Sequence, residues 1–148
     1  METKQKNFNK GEEGEKWVAE NLSKLGYKVI HVGGATKYSI DGGKFWCSDL
    51  FPFGKGRAFW VQVKNKEPRK FYPDTGLEYW RFENLKWLQK ESGKGALILF
   101  TDNTKKIYGE WVKNLKEEKH GGEYNALDDE KMIYFWLKDL KGLADLLL

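Results

Sequence analysis

Apolar residues recur along this chain first at helical spacing and then at strand spacing, and the change of period divides it into elements. Asn9 followed by Glu12 has the N-cap and N3 pattern of a helix start. Val18, Leu22 and Leu25 follow at helical spacing, and Gly26 closes the helix as its C′ residue. Tyr27 to Val32 is a short β-branched run that predicts a first strand. Gly33-Gly34 and Asp41-Gly42-Gly43 mark turns with a loop between them. Phe45 to Phe53 and Arg57 to Asn65 then read as the two strands of a hairpin. Lys66 to Leu77 is polar and basic, contains Pro68 and Pro73, and is predicted to be loop.

Phe82, Leu85 and Leu88 predict a helix over 78–91, with Gly93 just past its end. Ala96 to Thr101 is a continuous apolar strand, expected to be central and buried on both faces. Lys106 to Val112 predicts another strand, Glu117 to Glu130 a mobile loop, Met132 to Leu137 a last strand, and Lys138 to Leu147 a short terminal helix. This order predicts one α/β domain over residues 1–148, with helices packed on a mixed sheet.

The central hairpin carries the chemistry. Ala58, Trp60, Gln62 and Lys64 share one face of its second strand, because side chains alternate. If Lys55-Gly56 is the turn, the register that pairs Gly54 with Arg57 also pairs Asp49 with Gln62, and Lys64 becomes a diagonal neighbour. Glu15 lies on the same helical stripe as Val18, Leu22 and Leu25, the stripe that must face the sheet. A carboxylate aimed into an apolar interface is costly unless a cation meets it. Glu12 and Glu13 are read instead as surface groups near the positive end of the helix.

One buried acid, a second acid on a helix, an amide oxygen and a lysine are the groups that a hard divalent ion and a phosphate would engage together. Magnesium takes oxygen ligands and usually binds one or two carboxylates. Asp49 is the expected main ligand, with the Gln62 side-chain oxygen and the Val63 backbone carbonyl as neutral ones. Glu15 would bind directly or through water. Lys64 would orient the attacking water or stabilise charge on the phosphate. These residues point to a metal-dependent nuclease.

Composition leaves that expectation standing. The formal charge is +4, with 26 basic residues against 22 acidic ones, and the pI near 9.0 suits a polyanionic partner. Only Arg57, Arg69 and Arg81 are arginines, so phosphate contacts would be mostly lysine point charges. The single cysteine, Cys47, excludes an internal disulfide and a cysteine-based zinc site. A polar N-terminus and the absence of any long apolar run predict a cytoplasmic protein with no membrane span.

The quoted residues resemble the PD-(D/E)xK nuclease superfamily and, within it, the archaeal-type Holliday-junction resolvases. The matching pieces are Lys10-Gly11 followed by Glu15, Leu22 to Val29, Ser48-Asp49-Leu50 and Gln62-Val63-Lys64. Beyond Lys66 only the order of strands and helices agrees. The resemblance implies a restriction-endonuclease-like fold and an active-site set of Glu15, Asp49, Gln62 and Lys64. It also implies a magnesium-dependent endodeoxyribonuclease of DNA recombination and repair, with Mn2+ able to replace Mg2+. The substrate it implies is four-way DNA junctions, cut by a homodimer whose two sites match the junction's two equivalent phosphates. Gln62 stands where the family usually has an acid, Lys37 to Lys44 resembles an insertion, and no proline precedes Asp49.

Other readings of single residues are plainer. Asp41 is a rival acid, but Asp-Gly-Gly is first a turn. His31 continues an apolar strand and His120 lies in a charged loop, with no zinc spacing between them. Trp17, Trp46, Trp60, Trp87, Trp111 and Trp136 are expected to pack in the core or an interface, while Trp80 is a core residue or a stacking platform for an unpaired base. Lys66, Arg69, Lys70 and Tyr72 follow the hairpin and would overhang the site, where they could contact DNA phosphates. Two further functions fit the same residues: a nuclease acting on flaps, ends or duplex DNA, and a non-catalytic DNA-binding module of this fold.

Overall fold

The computed structural model describes residues 2–32, 48–115, 124–125 and 130–148. Helix α1 (Glu2–Lys24) leads into strand β1 (Lys28–His31), followed by β2 (Leu50–Gly54), β3 (Arg57–Ala58) and β4 (Trp60–Asn65). Next come β5 (Asp74–Glu78), α2 (Tyr79–Ser92), β6 (Ala96–Thr101) and β7 (Ile107–Trp111). The chain ends with β8 (Tyr124–Asn125), β9 (Glu130–Trp136), β10 (Lys141–Gly142) and α3 (Leu143–Leu146). The central sheet runs β1-β2-β4-β6-β7-β10, with β3 on β2, and a smaller sheet runs β5-β9-β8. Only the β4–β6 pair is parallel, so the central sheet is mixed and the fold is α/β.

Strand β6 shows why the sheet sits in the middle. Its six residues are all buried. Leu97 and Leu99 join Val18, Leu22, Val61, Val63, Leu143 and Leu146 in one core. Ala96, Ile98 and Phe100 join Leu77, Phe82, Leu85, Ile133 and Phe135 in another. Alternation thus gives each face of the sheet its own apolar layer, α1 and α3 on one side and α2 with the small sheet on the other.

Helix α1 ends as its sequence predicts. Gly26 takes φ +100°, and the N–H groups of Gly26 and Tyr27 donate to the carbonyls of Ser23 (3.0 Å) and Leu22 (3.1 Å). This is a Schellman cap, closed by the buried pair Leu22 and Tyr27. Its start differs. The helix begins at Glu2, so Asn9 lies within it and is not its start. The upstream residues Glu2 to Lys6 hold no proline or glycine, so nothing stops the helix from extending past a capping pattern.

The hairpin register is the expected one. Lys55 (φ 52°) and Gly56 (φ 78°) form a turn with both central residues at positive φ, the geometry that suits a twisted two-strand ribbon. Phe53 pairs with Ala58, Gly54 with Arg57 and Leu50 with Val61. The second strand is nonetheless split at Phe59. The Phe59 N–H donates to the Pro52 carbonyl (3.2 Å), but Pro52 has no N–H to return.

Other expectations need correction. Asp74 to Leu77, expected as the end of a loop, and Glu78, expected as the first residue of the helix, form strand β5, paired with β9 from Asp74↔Trp136 to Glu78↔Met132. Asp and Gly are weak strand formers, and here a partner strand overrides them. The last predicted strand exists as β9 but belongs to the small sheet. The predicted helix over 138–147 is only α3, because Lys141 and Gly142 first pair with β7 as an edge strand. Within the stretch expected as a loop before β9, Tyr124–Asn125 pairs with Lys131 and Glu130. Trp60 and Trp111 pack against the cores, whereas Trp87 is 47% exposed and is not a core residue. Trp46, Cys47, Asp41 and His120 lie outside the described residues. No described helix is long and apolar enough to cross a membrane.

Helix α1 meets the end of β4 at a close contact. A Cβ on Gly14 would lie 2.7 Å from the Asn65 Cβ, while one on Gly11 would meet nothing within 4 Å. The two glycines should therefore respond to alanine with opposite signs. Gly11→Ala should stabilise the protein by up to ~1 kcal/mol through helix propensity. Gly14→Ala should destabilise it by about 1–3 kcal/mol, because the helix must lift off the sheet. Urea unfolding midpoints of the two variants check this, and a stabilised Gly14→Ala would refute the contact.

Candidate active site

The site forms where β2, β4 and α1 converge. The ladder between β2 and β4 ends at Leu50↔Val61, and Ser48 extends it with its side chain. The Val61 N–H donates to the Ser48 hydroxyl (3.1 Å), which donates in turn to the Leu50 carbonyl (2.8 Å). The Asp49 N–H donates to the Val61 carbonyl (2.9 Å). Asp49 is thereby fixed at the strand's mouth with its carboxylate turned inward, 3% exposed.

That carboxylate is met by β4. Asp49 Oδ2 accepts from the Gln62 side-chain amide (2.6 Å) and from the Val63 N–H (2.9 Å). The predicted Asp49–Gln62 neighbourhood is therefore present, although the backbone ladder stops one residue short of it. Gln62 must give its N–H to the carboxylate, because two acceptors would repel. Its Oε1 is then left buried, with no hydrogen-bond partner among the described residues. Such an orphan costs ~1–3 kcal/mol unless something else meets it.

Glu15 approaches from α1. Burial pushes its carboxyl up to about 8, helped by the charge of Asp49, a hydrogen bond with Asp49 and the charge of Glu12, while Arg81 pulls the other way. Without a cation Glu15 thus keeps its proton at neutral pH beside Asp49, which avoids two like charges side by side. Among the described residues no three His, Cys, Asp or Glu side chains converge. The oxygen donors present are two carboxylates, an unpartnered amide oxygen and the Val63 carbonyl, a set that fits a hard ion such as Mg2+ and not a soft one.

Lys64 points from the same strand face as Gln62 and meets a residue that the sequence reading did not single out. Its ammonium lies 2.6 Å from Glu78 Oε1, and the Arg81 Nε lies 2.5 Å from Glu78 Oε2. Burial alone would raise the Glu78 pKa, but Lys64 and Arg81 outweigh it and bring it down to about 2. The signal was there: a glutamate followed three residues later by arginine, at the start of an apolar-periodic helix. The sequence does not bring it to Lys64, because a helix start after a loop gives Glu78 no fixed place, whereas it is β5 that sets it beside β4.

The four residues expected to touch DNA separate into two kinds. Arg69 is occupied: its Nε and Nη2 bind Asp74 at 2.7 and 2.6 Å, and its guanidinium stacks 3.7 Å from the Tyr134 ring centroid. Asp74 is fully buried, so this pair staples the loop to β5. Lys66 sits half-buried, 5.9 Å from the same ring, and its pKa is lowered by burial and then by the charge of Lys64. Lys70 is exposed and Tyr72 is 43% exposed, at the loop's tip beside Phe71, which is 95% exposed. Both remain placed for a partner in solution. His31 is exposed on β1 and takes no part in the site.

No protein-family model matches the chain, and no curated protein sequence matches it either. The backbone does have a counterpart. It is similar to the 1.6 Å structure of Hjc, a Holliday junction resolvase from the archaeal hyperthermophile Archaeoglobus fulgidus, with a TM-score of 0.66. The match covers 92% of this chain and 93% of that one, at 16% sequence identity. At that identity the likeness concerns the fold: a mixed central sheet flanked by helices, arranged as in the resolvase.

Proposed function

We propose that this chain is a metal-dependent endodeoxyribonuclease of the PD-(D/E)xK type, acting as a homodimeric resolvase of four-way DNA junctions. The observation that carries the reading is buried Asp49 hydrogen-bonded to half-buried Glu15 beside an unpartnered amide oxygen, in a fold like that of a junction resolvase. Asp49, the Gln62 Oε1, the Val63 carbonyl and Glu15 would hold the ion. When bound, Mg2+ supplies polarisation of a phosphate oxygen and a lowered pKa for the attacking water.

The chain's own residues do the rest. Asp49 is held by the Val63 N–H and the Gln62 amide, so it cannot swing away from the phosphate site. Glu15 gives up its proton as the second acid. Lys64 presents a positive charge where negative charge grows on the phosphate. Lys66, Lys70 and Tyr72 lie along the path a DNA backbone would take past the site, and Arg69 shapes their loop. Because affinity would come from many such contacts, binding and cutting should separate.

Asp49→Asn and Lys64→Ala should each slow DNA cleavage about a hundredfold or more, the scale of losing one preorganised contact to developing charge. Binding to the same DNA should stay within about a few-fold. Cleavage time courses beside equilibrium binding on the folded variants check this. Cutting at the wild-type rate by either variant would sink the assignment.

The proton on Glu15 predicts a pH dependence. Its folded pKa, about 8, lies above its ordinary value of 4.5. It therefore contributes stability that is complete below the ordinary value and is lost as pH rises to about 8. In chelator the melting temperature of the wild type should fall across this window, while that of Glu15→Gln should fall less. Mg2+ affinity should climb over the same range, since the ion displaces the proton. Parallel melting curves for the two proteins would remove the proton on Glu15.

The substrate is tested separately. The protein should sediment as a dimer and prefer a four-way junction to linear duplex of equal length, in competition at fixed salt. A cutting monomer without that preference would leave a nuclease that acts on other DNA forms.

A further inference from the structure

We infer that Glu78 is a positioning residue for Lys64, fixing its ammonium beside the Asp49–Gln62 cluster; the inference rests on the nuclease reading above. Lysine needs such help. Its charge sits on a flexible four-carbon stem and is strongly hydrated, so unaided it samples many positions. Here both oxygens of one carboxylate are engaged, Oε1 by Lys64 and Oε2 by Arg81, on a side chain only 13% exposed.

The backbone that delivers Glu78 is itself held. Its residue pairs with Met132 at the end of β5 and is the N-cap position of α2, so strand and helix fix it from both sides. A carboxylate at that position would ordinarily turn to the helix's own N–H groups. Glu78 makes no such cap and faces the two cations instead. Its charge also offsets a repulsion, since Lys64 and Lys66 lie close enough for each other's charge to be felt. Arg81 is placed to steady the carboxylate, and its charge also reaches Glu15, which couples the lysine side of the site to the acid side.

The test uses the intact chain and two readings. Reductive methylation without DNA, read by mass spectrometry against exposed Lys28, reports whether Lys64 is held. Single-turnover cleavage of a four-way junction with Mg2+, beside the dissociation constant for that junction, reports what holding it does. In Glu78→Gln, Lys64 methylation should rise severalfold. Cleavage at saturating DNA should fall about tenfold or more, the scale of losing a supporting outer contact, and binding should be unchanged or tighter, because a negative charge facing phosphate is gone. A purely structural role would weaken binding and cleavage together, and that result overturns the inference. Unchanged methylation, or freed Lys64 with undiminished cleavage, overturns it too. If Glu78→Gln does not fold, Glu78→Asp gives the same two readings, keeping the charge but drawing it back by one methylene. If the wild type cuts no DNA, the nuclease reading fails and the positioning role with it, while the methylation ratio still reports whether Glu78 holds Lys64.

Discussion

Asp49 carries a carboxylate out of water at the seam where α1 meets the central sheet, and every neighbouring element is arranged around satisfying it. The Val63 N–H and the Gln62 amide reach it from β4. Glu15 reaches it from α1 only because Gly14 lets the helix lie against Asn65, whose amide binds the Lys10 carbonyl (2.8 Å). The two-residue turn at Lys55–Gly56 sets the register that brings Gln62 opposite. A buried charge with this many dependants is costly without a cation, which is why Glu15 keeps its proton beside it and why one amide oxygen stays unmet.

The opposite side of the site is built from positive charge arranged in pairs. Arg69 with Asp74 and Lys64 with Glu78 and Arg81 are each mutually satisfied and partly shielded from water. Lys66 lies near both groups: its ammonium is 5.9 Å from the Tyr134 ring centroid and feels the charges of Lys64, Glu78, Arg69 and Asp74. The small sheet serves this side alone. It supplies Asp74, Glu78 and Tyr134, and so sets the electrostatics of residues on β4 that it does not pair with.

Much of the site was legible in the sequence because its core is local. A turn dipeptide, a strand period of two and a helical stripe place Asp49, Gln62, Lys64 and Glu15 without any knowledge of distant contacts. What escaped was set by tertiary partners. Asp74 and Gly76 flank Thr75 with poor strand formers, and the segment becomes a strand because β9 approaches so closely that a Cβ at Gly76 would lie 2.2 Å from the Ile133 carbonyl oxygen. Without β5, Glu78 is only a helix-start residue, and its ion pairs with Lys64 and Arg81 cannot be foreseen. The start of α1 escaped for another reason: a capping pattern marks where a helix can begin, not where it must. The restriction-endonuclease-like architecture itself was recoverable, since β6 reads as doubly buried and is.

The β5–β9 pairing has a consequence for the order in which the site is assembled. The hairpin that joins Asp49 to Gln62 closes across a two-residue turn, a short-range event. Thr75 pairs with Phe135 far along the chain, and such long-range closure is slow. A nascent or truncated chain without β9 would hold its acids in place while the lysine's ammonium stayed loose. Completion of the small sheet is thus what orders that ammonium, since β9 holds the strand that carries Glu78.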